Sequence, residues 1–165
     1  MTTALNLGCH DIRISGLINL DIDPAMQPDI VMDCTRLRNH YEDDTVDFVF
    51  CGHFLEHFNK PTGMQIVKDV HKILKPFGCF IAIVPDYTKT NDLSIDEAER
   101  IIMAEDTHKS LMAIPRLREY FISAGFQTCA QAYPHEIGYC AFPHVLWQSA
   151  MIGVKHPIPQ FGGIK

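Results

Sequence analysis

Apolar residues in the first half of the chain gather in four short runs, each the length of a β-strand. The runs cover residues 4–7, 17–20, 30–32 and 46–50, and each stops at a Gly, Cys or Asp. Each run contains at most one polar residue (Asn6, Asn19 and Asp47), so the runs are closer to continuous than to alternating, which is typical of strands that are covered on both faces. The pattern therefore predicts an α/β fold with a mostly parallel sheet.

The second half of the chain completes this pattern with helices and three more strands. One amphipathic helix is predicted from Pro61 until residues 76–78 stop it, and another over residues 115–124, with Gly125 just past its end. Ser94 and Glu97 form a capping box before an amphipathic stretch to about Ala104. The remaining predicted strands cover residues 79–84, 126–133 and 145–154, the last two joined by a loop over 134–143 into an antiparallel hairpin.

Composition narrows the class of protein. The 165 residues are 47% hydrophobic and 21% charged, as expected for one domain that spans residues 1–165. The chain has 14 Lys and Arg residues and 20 Asp and Glu residues, so its net charge is −6. The basic residues are scattered, so nucleic acids and anionic membranes are poor candidates as partners.

The cysteines and the lengths of the apolar runs indicate where in the cell the protein is expected. The six cysteines form no C-x-x-C pair and no framework spacing, which is typical of free thiols in a reducing compartment. The first residues show no basic leader, and no apolar run reaches the length that a membrane span needs. We therefore expect a cytoplasmic protein without a membrane span.

Polar and small residues at the strand ends are the candidate binding groups, because ligands of open α/β sheets bind outside the carboxyl ends of the strands. Gly8 allows close approach to a ligand, and Asp21 can accept hydrogen bonds from both hydroxyls of a ribose. The segment between them is too short for a phosphate-binding helix, and G-x-G-x-x-G is absent. NAD, FAD and ATP are thus disfavoured, and S-adenosylmethionine is favoured.

Four motifs, in order, resemble the small class I SAM-dependent methyltransferases, especially predicted members associated with sugar and cell-surface polymer modification. They are LNLGCHDIRISGLINLDIDP, PDIVMDCTRL, DDTVDFVFCGHFLEHF and HKILKPFGCFIAIVPDY. The resemblance continues through LREYFISAGF to WQSAMIGVKHP, and so covers nearly the whole chain. It implies a doubly wound, seven-stranded, Rossmann-like sheet and methyl transfer from S-adenosyl-L-methionine to an oxygen or nitrogen of a small molecule or saccharide.

The resemblance also implies roles for individual residues. Those expected to bind the cofactor are Gly8, Cys9 and His10 at its methionine end, Asp21 at its ribose, Asp33 and Cys34 at its adenine, and Cys51 and Gly52 on the side where the substrate arrives. Ile22, next to Asp21, is also expected to bind the cofactor. His53 is the candidate catalytic base, because an imidazole can accept a proton at neutral pH. A wall-lining loop histidine is the other interpretation of His53.

Two departures from the family change these expectations. His10 stands where the family usually has glycine, so the alternative function is a weakened or inactive methyltransferase-like accessory subunit. The chain also lacks an N-terminal cap before its first strand. Either the pocket is open, or a second copy of the chain covers it in a homodimer.

No metal is expected to be bound, although the strand-end cysteines leave one alternative open. Cys9, Cys34 and Cys51, with His10 and His53 beside them, could form a thiolate and imidazole metal site. Glu56 and His57 are interpreted as structural. His108 is interpreted as a solvated loop histidine, or as part of a lid over the substrate within residues 87–114.

Overall fold

Seven strands of the computed structural model, which describes residues 2–89, 94, 96–97, 100, 103, 108–134 and 148–157, form one sheet. Their bounds are β1 (Ala4–Leu7), β2 (Ile18–Asp21), β3 (Ile30–Val31), β4 (Val46–Gly52), β5 (Leu74–Pro85), β6 (Thr128–Ala132) and β7 (Gln148–Val154). The order across the sheet is β3-β2-β1-β4-β5-β7-β6, and β7 runs antiparallel to the other six strands, which are parallel to one another. The predicted seven-stranded sheet and its closing hairpin are confirmed.

Helices α1 (Lys60–Ile73) and α2 (Ile114–Ala124) pack against each other and contribute to one apolar core on the same side of the sheet. Both carry a proline in the first turn, where its missing N–H costs nothing. The side chain of Asn59 caps α1 by accepting from the Thr62 N–H at 3.1 Å. Gly125 ends α2 with φ +106°, a left-handed conformation that glycine adopts readily. Neither helix, nor any other helix of the described residues, has the length and hydropathy of a membrane span.

Aromatic side chains fix α2 on the sheet. The rings of Phe80 in β5 and Phe121 in α2 stack with centroids 4.9 Å apart and planes 2° apart. Phe126 packs on Phe121 at 5.0 Å. Ile14 and Leu17, in the loop after β1, pack against a smaller apolar cluster that contains Phe50 and Ile83. Packing as well as hydrogen bonds therefore holds this loop.

The junction between α1 and β5 differs from the prediction. The helix ends at Ile73, before the predicted stop at 76–78, and β5 begins at Leu74. The pairing with β4 shifts register between Val46 and Phe48, and Phe77 takes φ +66° there. Such an irregularity accommodates Pro76, which lacks a ladder donor, inside a strand.

Several predicted features fall partly outside the described residues. The capping box is formed, since the Ser94 N–H and Oγ–H donate to Glu97 Oε2 at 3.0 and 2.7 Å. Much of the helix predicted to follow it, up to Ala104, lies outside the described residues, as do residues 135–143 of the predicted loop and 145–147 of the last predicted strand.

Candidate active site

The predicted site residues meet at the carboxyl edge of the sheet, where β1 lies between β2 and β4. Leu7 pairs with Leu20 on one side and with Cys51 on the other. The residues that follow, Gly8 and Asp21 together with Gly52, therefore belong to one edge. Asp33 and Cys34 follow β3 at the far end of the same edge.

The first residues of the loop after β1 include two, Gly8 and His10, with left-handed backbone conformations. Gly8 has φ +59° and His10 has φ +46°. A Cβ at Gly8 would overlap the ring of Phe54, whose Cε2 would be only 2.8 Å away. Glycine is thus required there by packing within the protein, in addition to any approach of a ligand. The His10 side chain, by contrast, is 70% exposed and bonds Asp11 through Nδ1 at 2.9 Å.

Asp21 is held with its carboxylate toward this loop. Oδ2 accepts from the His10 N–H at 2.8 Å and Oδ1 accepts from the Asp23 N–H at 2.9 Å. An ionised carboxylate can accept about four hydrogen bonds, so both oxygens can accept one more. The next side chain, Ile22, is 67% exposed, an unusual position for a large apolar group. Together they offer paired acceptors beside an apolar surface.

Asp33 has a structural role as an N-cap. Its Oδ1 accepts from the Thr35 hydroxyl at 2.7 Å and from the Thr35 N–H at 2.9 Å, at the start of the 3₁₀ helix Cys34–Asn39. Both hydrogen bonds lower the pKa of the Asp33 carboxyl, and the one from the Thr35 hydroxyl has the larger effect. These capping hydrogen bonds account for the position of Asp33 without a ligand. Its contact with an adenine stays a prediction.

The three strand-end cysteines are buried thiols. Burial raises the pKa of Cys34 to about 12, although a hydrogen bond from the Gly8 backbone partly opposes the shift. Burial also raises the pKa of Cys9, and raises that of Cys51 well above its usual value. Protonated thiols are poor metal ligands and nucleophiles. Within the described part of the chain, these cysteines are not among the residues grouped closely enough to hold an ion.

His53, the candidate base, is held in a polar setting. Its backbone takes φ +52° and its N–H donates to the Ile83 carbonyl at 2.9 Å. Its ring lies between two side chains, with Nε2 2.9 Å from Gln148 Oε1 and Nδ1 3.4 Å from Glu56 Oε1. The side chain is 16% exposed, so solvent still reaches it. Sequence reasoning missed Gln148, because nothing in its pattern links the start of β7 to the end of β4.

His108 is placed differently from the solvated position that we predicted. It is half-buried, and its ring centroid lies 4.9 Å from that of His57. The backbone N–H groups of Lys109 and Ser110 donate to the Glu56 carbonyl at 2.9 and 3.1 Å, which seats this segment against the turn after β4. His108 therefore lies beside the turn after β4 that carries Glu56 and His57.

Buried polar residues in β1 and β2 support the loop over residues 9–16, and sequence reasoning did not find them. Asn6 Nδ2 donates to Asn19 Oδ1 at 3.0 Å and to the Ile12 carbonyl at 3.0 Å. Asn19 Oδ1 also accepts from the Ile14 N–H at 2.8 Å, and Asn19 Nδ2 donates to Asp29 Oδ2 at 2.7 Å. Asparagines inside apolar strands were the signal available, since buried amides need such partners.

Comparisons with known proteins agree with this architecture. Residues 10–82 match the family described as "Methyltransferase domain". No curated protein sequence matches the chain. A SAM-dependent methyltransferase of Archaeoglobus fulgidus superposes with a TM-score of 0.70 at 15% identity, over 93% of this chain and 86% of the other.

Two further solved structures share the fold. One comes from a complex between the Haloferax volcanii Trm112 methyltransferase activator and a methyltransferase, with a TM-score of 0.70 and 18% identity over 95% of this chain and 83% of the other. A SAM-dependent methyltransferase of Mesorhizobium loti superposes with a TM-score of 0.64 at 15% identity, over 93% of this chain and 90% of the other. The predicted resemblance is thus confirmed at the level of the fold: the chain has the fold of class I SAM-dependent methyltransferases, and its residues 10–82 match the methyltransferase domain family.

Proposed function

We propose that the protein transfers a methyl group from S-adenosylmethionine to an oxygen or nitrogen of a small molecule or saccharide. The observation that carries this proposal is the Asp21 carboxylate, which is held by two backbone N–H groups beside the left-handed loop after β1. In this fold that edge is where a ligand binds.

The residues present fit the cofactor. Asp21 would accept from the ribose hydroxyls, exposed Ile22 would cover a face of the adenine, and the backbone of residues 8–10 would contact the methionine portion. Asp33, Cys34, Cys51 and Gly52 complete the proposed set of contacts. When bound, the cofactor supplies a methyl group on a sulfonium, which is an intrinsically good leaving group. Alignment of the acceptor therefore accounts for most of the expected rate enhancement.

His53 is proposed to receive the proton that the acceptor loses. Gln148 orients Nε2, and the buried Glu56 carboxylate beside Nδ1 stabilises the ring when it is charged. His53→Gln is expected to lower kcat about tenfold with KM for the cofactor unchanged, since proton removal is secondary to alignment here. Steady-state kinetics against a panel of saccharides and amines measures both constants. An unchanged kcat would assign His53 to the wall of the pocket only.

Calorimetric titration with S-adenosylmethionine and with its demethylated product, S-adenosylhomocysteine, tests cofactor use directly. We expect both to bind with dissociation constants in the micromolar range, about −8 kcal/mol. Absence of heat at millimolar ligand would refute the proposed function.

The left-handed conformation of His10 favours one second candidate, an accessory subunit with impaired cofactor use. His10→Gly discriminates between the two. Because the His10 side chain is exposed, the enzyme proposal expects cofactor affinity to change by less than about threefold, while relief of the strained φ stabilises the fold by about 1 kcal/mol. Affinity that appears only in His10→Gly would instead support the accessory subunit.

A further inference from the structure

Three side chains beside the proposed acceptor position form a group of potential metal ligands, of which the methyl-transfer chemistry uses only Glu56, as the neighbour of His53. Glu56 and His57 come from the 3₁₀ helix Leu55–His57 after β4, and His108 from the segment before α2. Each offers a potential ligand atom, and these atoms lie within 4.8 Å of one another. No other group of this kind occurs within the ranges that the structure describes.

The Glu56 carboxylate is an unusual member of this group. The residue is fully buried, and neither oxygen has a hydrogen-bond partner among the described residues. His53 Nδ1 lies 3.4 Å from Oε1, in a geometry that makes no hydrogen bond. A buried carboxylate without donors is strongly disfavoured, because it loses its hydration without compensation. A bound cation would supply that compensation.

The histidines are arranged as ligands would be. The hydrogen bonds from Lys109 and Ser110 to the Glu56 carbonyl hold His108 next to the carboxylate. His57 Nε2 lies 3.2 Å from the His53 carbonyl, so in the neutral ring Nε2 donates and Nδ1 carries the lone pair. A backbone carbonyl commonly fixes a metal-bound histidine in this way.

We propose that Glu56, His57 and His108 bind a divalent transition-metal ion of the zinc type. Two imidazoles and one carboxylate suit Zn²⁺, Mn²⁺, Fe²⁺ or Co²⁺ and disfavour Ca²⁺ and Mg²⁺, which prefer oxygen ligands. Three protein ligands leave a coordination position open, as in catalytic rather than structural zinc sites. This site differs from the cysteine site that the sequence left open as an alternative.

The position of the ion gives it a role, which rests on the proposed function. Its ligands adjoin His53 through Glu56, on the side assigned to the methyl acceptor. An acceptor hydroxyl bound to the ion would release its proton more readily, and His53 would take that proton. The oxygen would then attack the methyl group while the bond from that carbon to sulfur breaks.

Metal binding is tested without the cofactor. Protein stripped with a chelator is titrated with Zn²⁺ by calorimetry and with Co²⁺ by visible absorption. We expect about one equivalent of each, with micromolar affinity or better for Zn²⁺, and Co²⁺ bands that report the coordination geometry. Glu56→Gln, His57→Ala and His108→Ala should each lower affinity about 100-fold. Glu119→Gln and His40→Ala, which change the same residue types at surface positions, should leave it unchanged.

The outcomes separate this inference from the proposed function. Absence of uptake, or uptake that Glu56→Gln and His108→Ala leave unchanged, would overturn the metal site. Circular dichroism and thermal melts show whether each variant folds, and Glu56→Gln removes only a charge and so should fold normally. Binding of S-adenosylhomocysteine without binding of metal would refute the metal site alone. Binding of metal without binding of the cofactor would refute the proposed function and leave the metal site standing.

Discussion

Gly8→Ala is expected to lower the free energy of unfolding by about 3 kcal/mol. The substitution places a methyl group into the Phe54 ring and keeps a left-handed φ of +59°. The conformation contributes about 1–2 kcal/mol and overpacking against a buried ring about 1–3 kcal/mol. Urea unfolding followed by circular dichroism measures the loss.

Gly16→Ala is the matched control. Gly16 also has a positive φ, of +87°, yet a Cβ there would meet nothing within 4 Å. Gly16→Ala should lower the free energy of unfolding only by the conformational contribution, about 1–2 kcal/mol. Equal losses at the two positions would show that Phe54 yields easily, and that Gly8 is required for its backbone alone.

Asp21→Ala is expected to weaken cofactor binding by roughly 2 kcal/mol, or about 30-fold in the dissociation constant. The lost groups are two charge-assisted acceptors for the ribose hydroxyls. Calorimetric titration with S-adenosylhomocysteine measures the change. Asp43→Ala, which removes an exposed carboxylate paired with Arg38, provides the control for net charge.

Asp21 also holds the loop after β1, so a second ligand is needed to separate the two effects. An S-adenosylhomocysteine analogue without ribose hydroxyls should bind the native protein and Asp21→Ala with equal affinity if the hydroxyl bonds carry the loss. A 30-fold difference for this analogue as well would instead assign the effect to the loop, through the hydrogen bond from the His10 N–H to Asp21.

The sheet was predictable where burial alone decides the pattern. The ends of β1, β2 and β3 fall within one residue of the apolar runs, because each run is bounded by a residue that disfavours continuation. The start of β5 was not predictable in this way. Leu74 continues the apolar spacing of α1, and its pairing with Val46 depends on a register shift that only the neighbouring strand imposes.

The site was predictable as far as parallel topology brings strand ends together. Gly8, Asp21 and His53 share one edge because their strands are neighbours. Phe54 over Gly8 and His108 beside Glu56 depend on how loops from distant parts of the chain pack, and no local periodicity encodes such contacts. This is why the sequence favoured a structural role for Glu56, and a solvated loop position or a place in a lid for His108.

The position of β7 between β5 and β6 has a consequence for how the molecule assembles during synthesis. Strands β1 to β5 can pair with one another as they leave the ribosome, but among the described strands β6 pairs only with β7, which is made later. Gln148, the partner of His53, is the first residue of that strand. Most of the sheet can therefore form early in synthesis, whereas His53 acquires its partner Gln148 only when β7 is made. Nascent chains that end before residue 148 are expected to be partly folded and catalytically inactive.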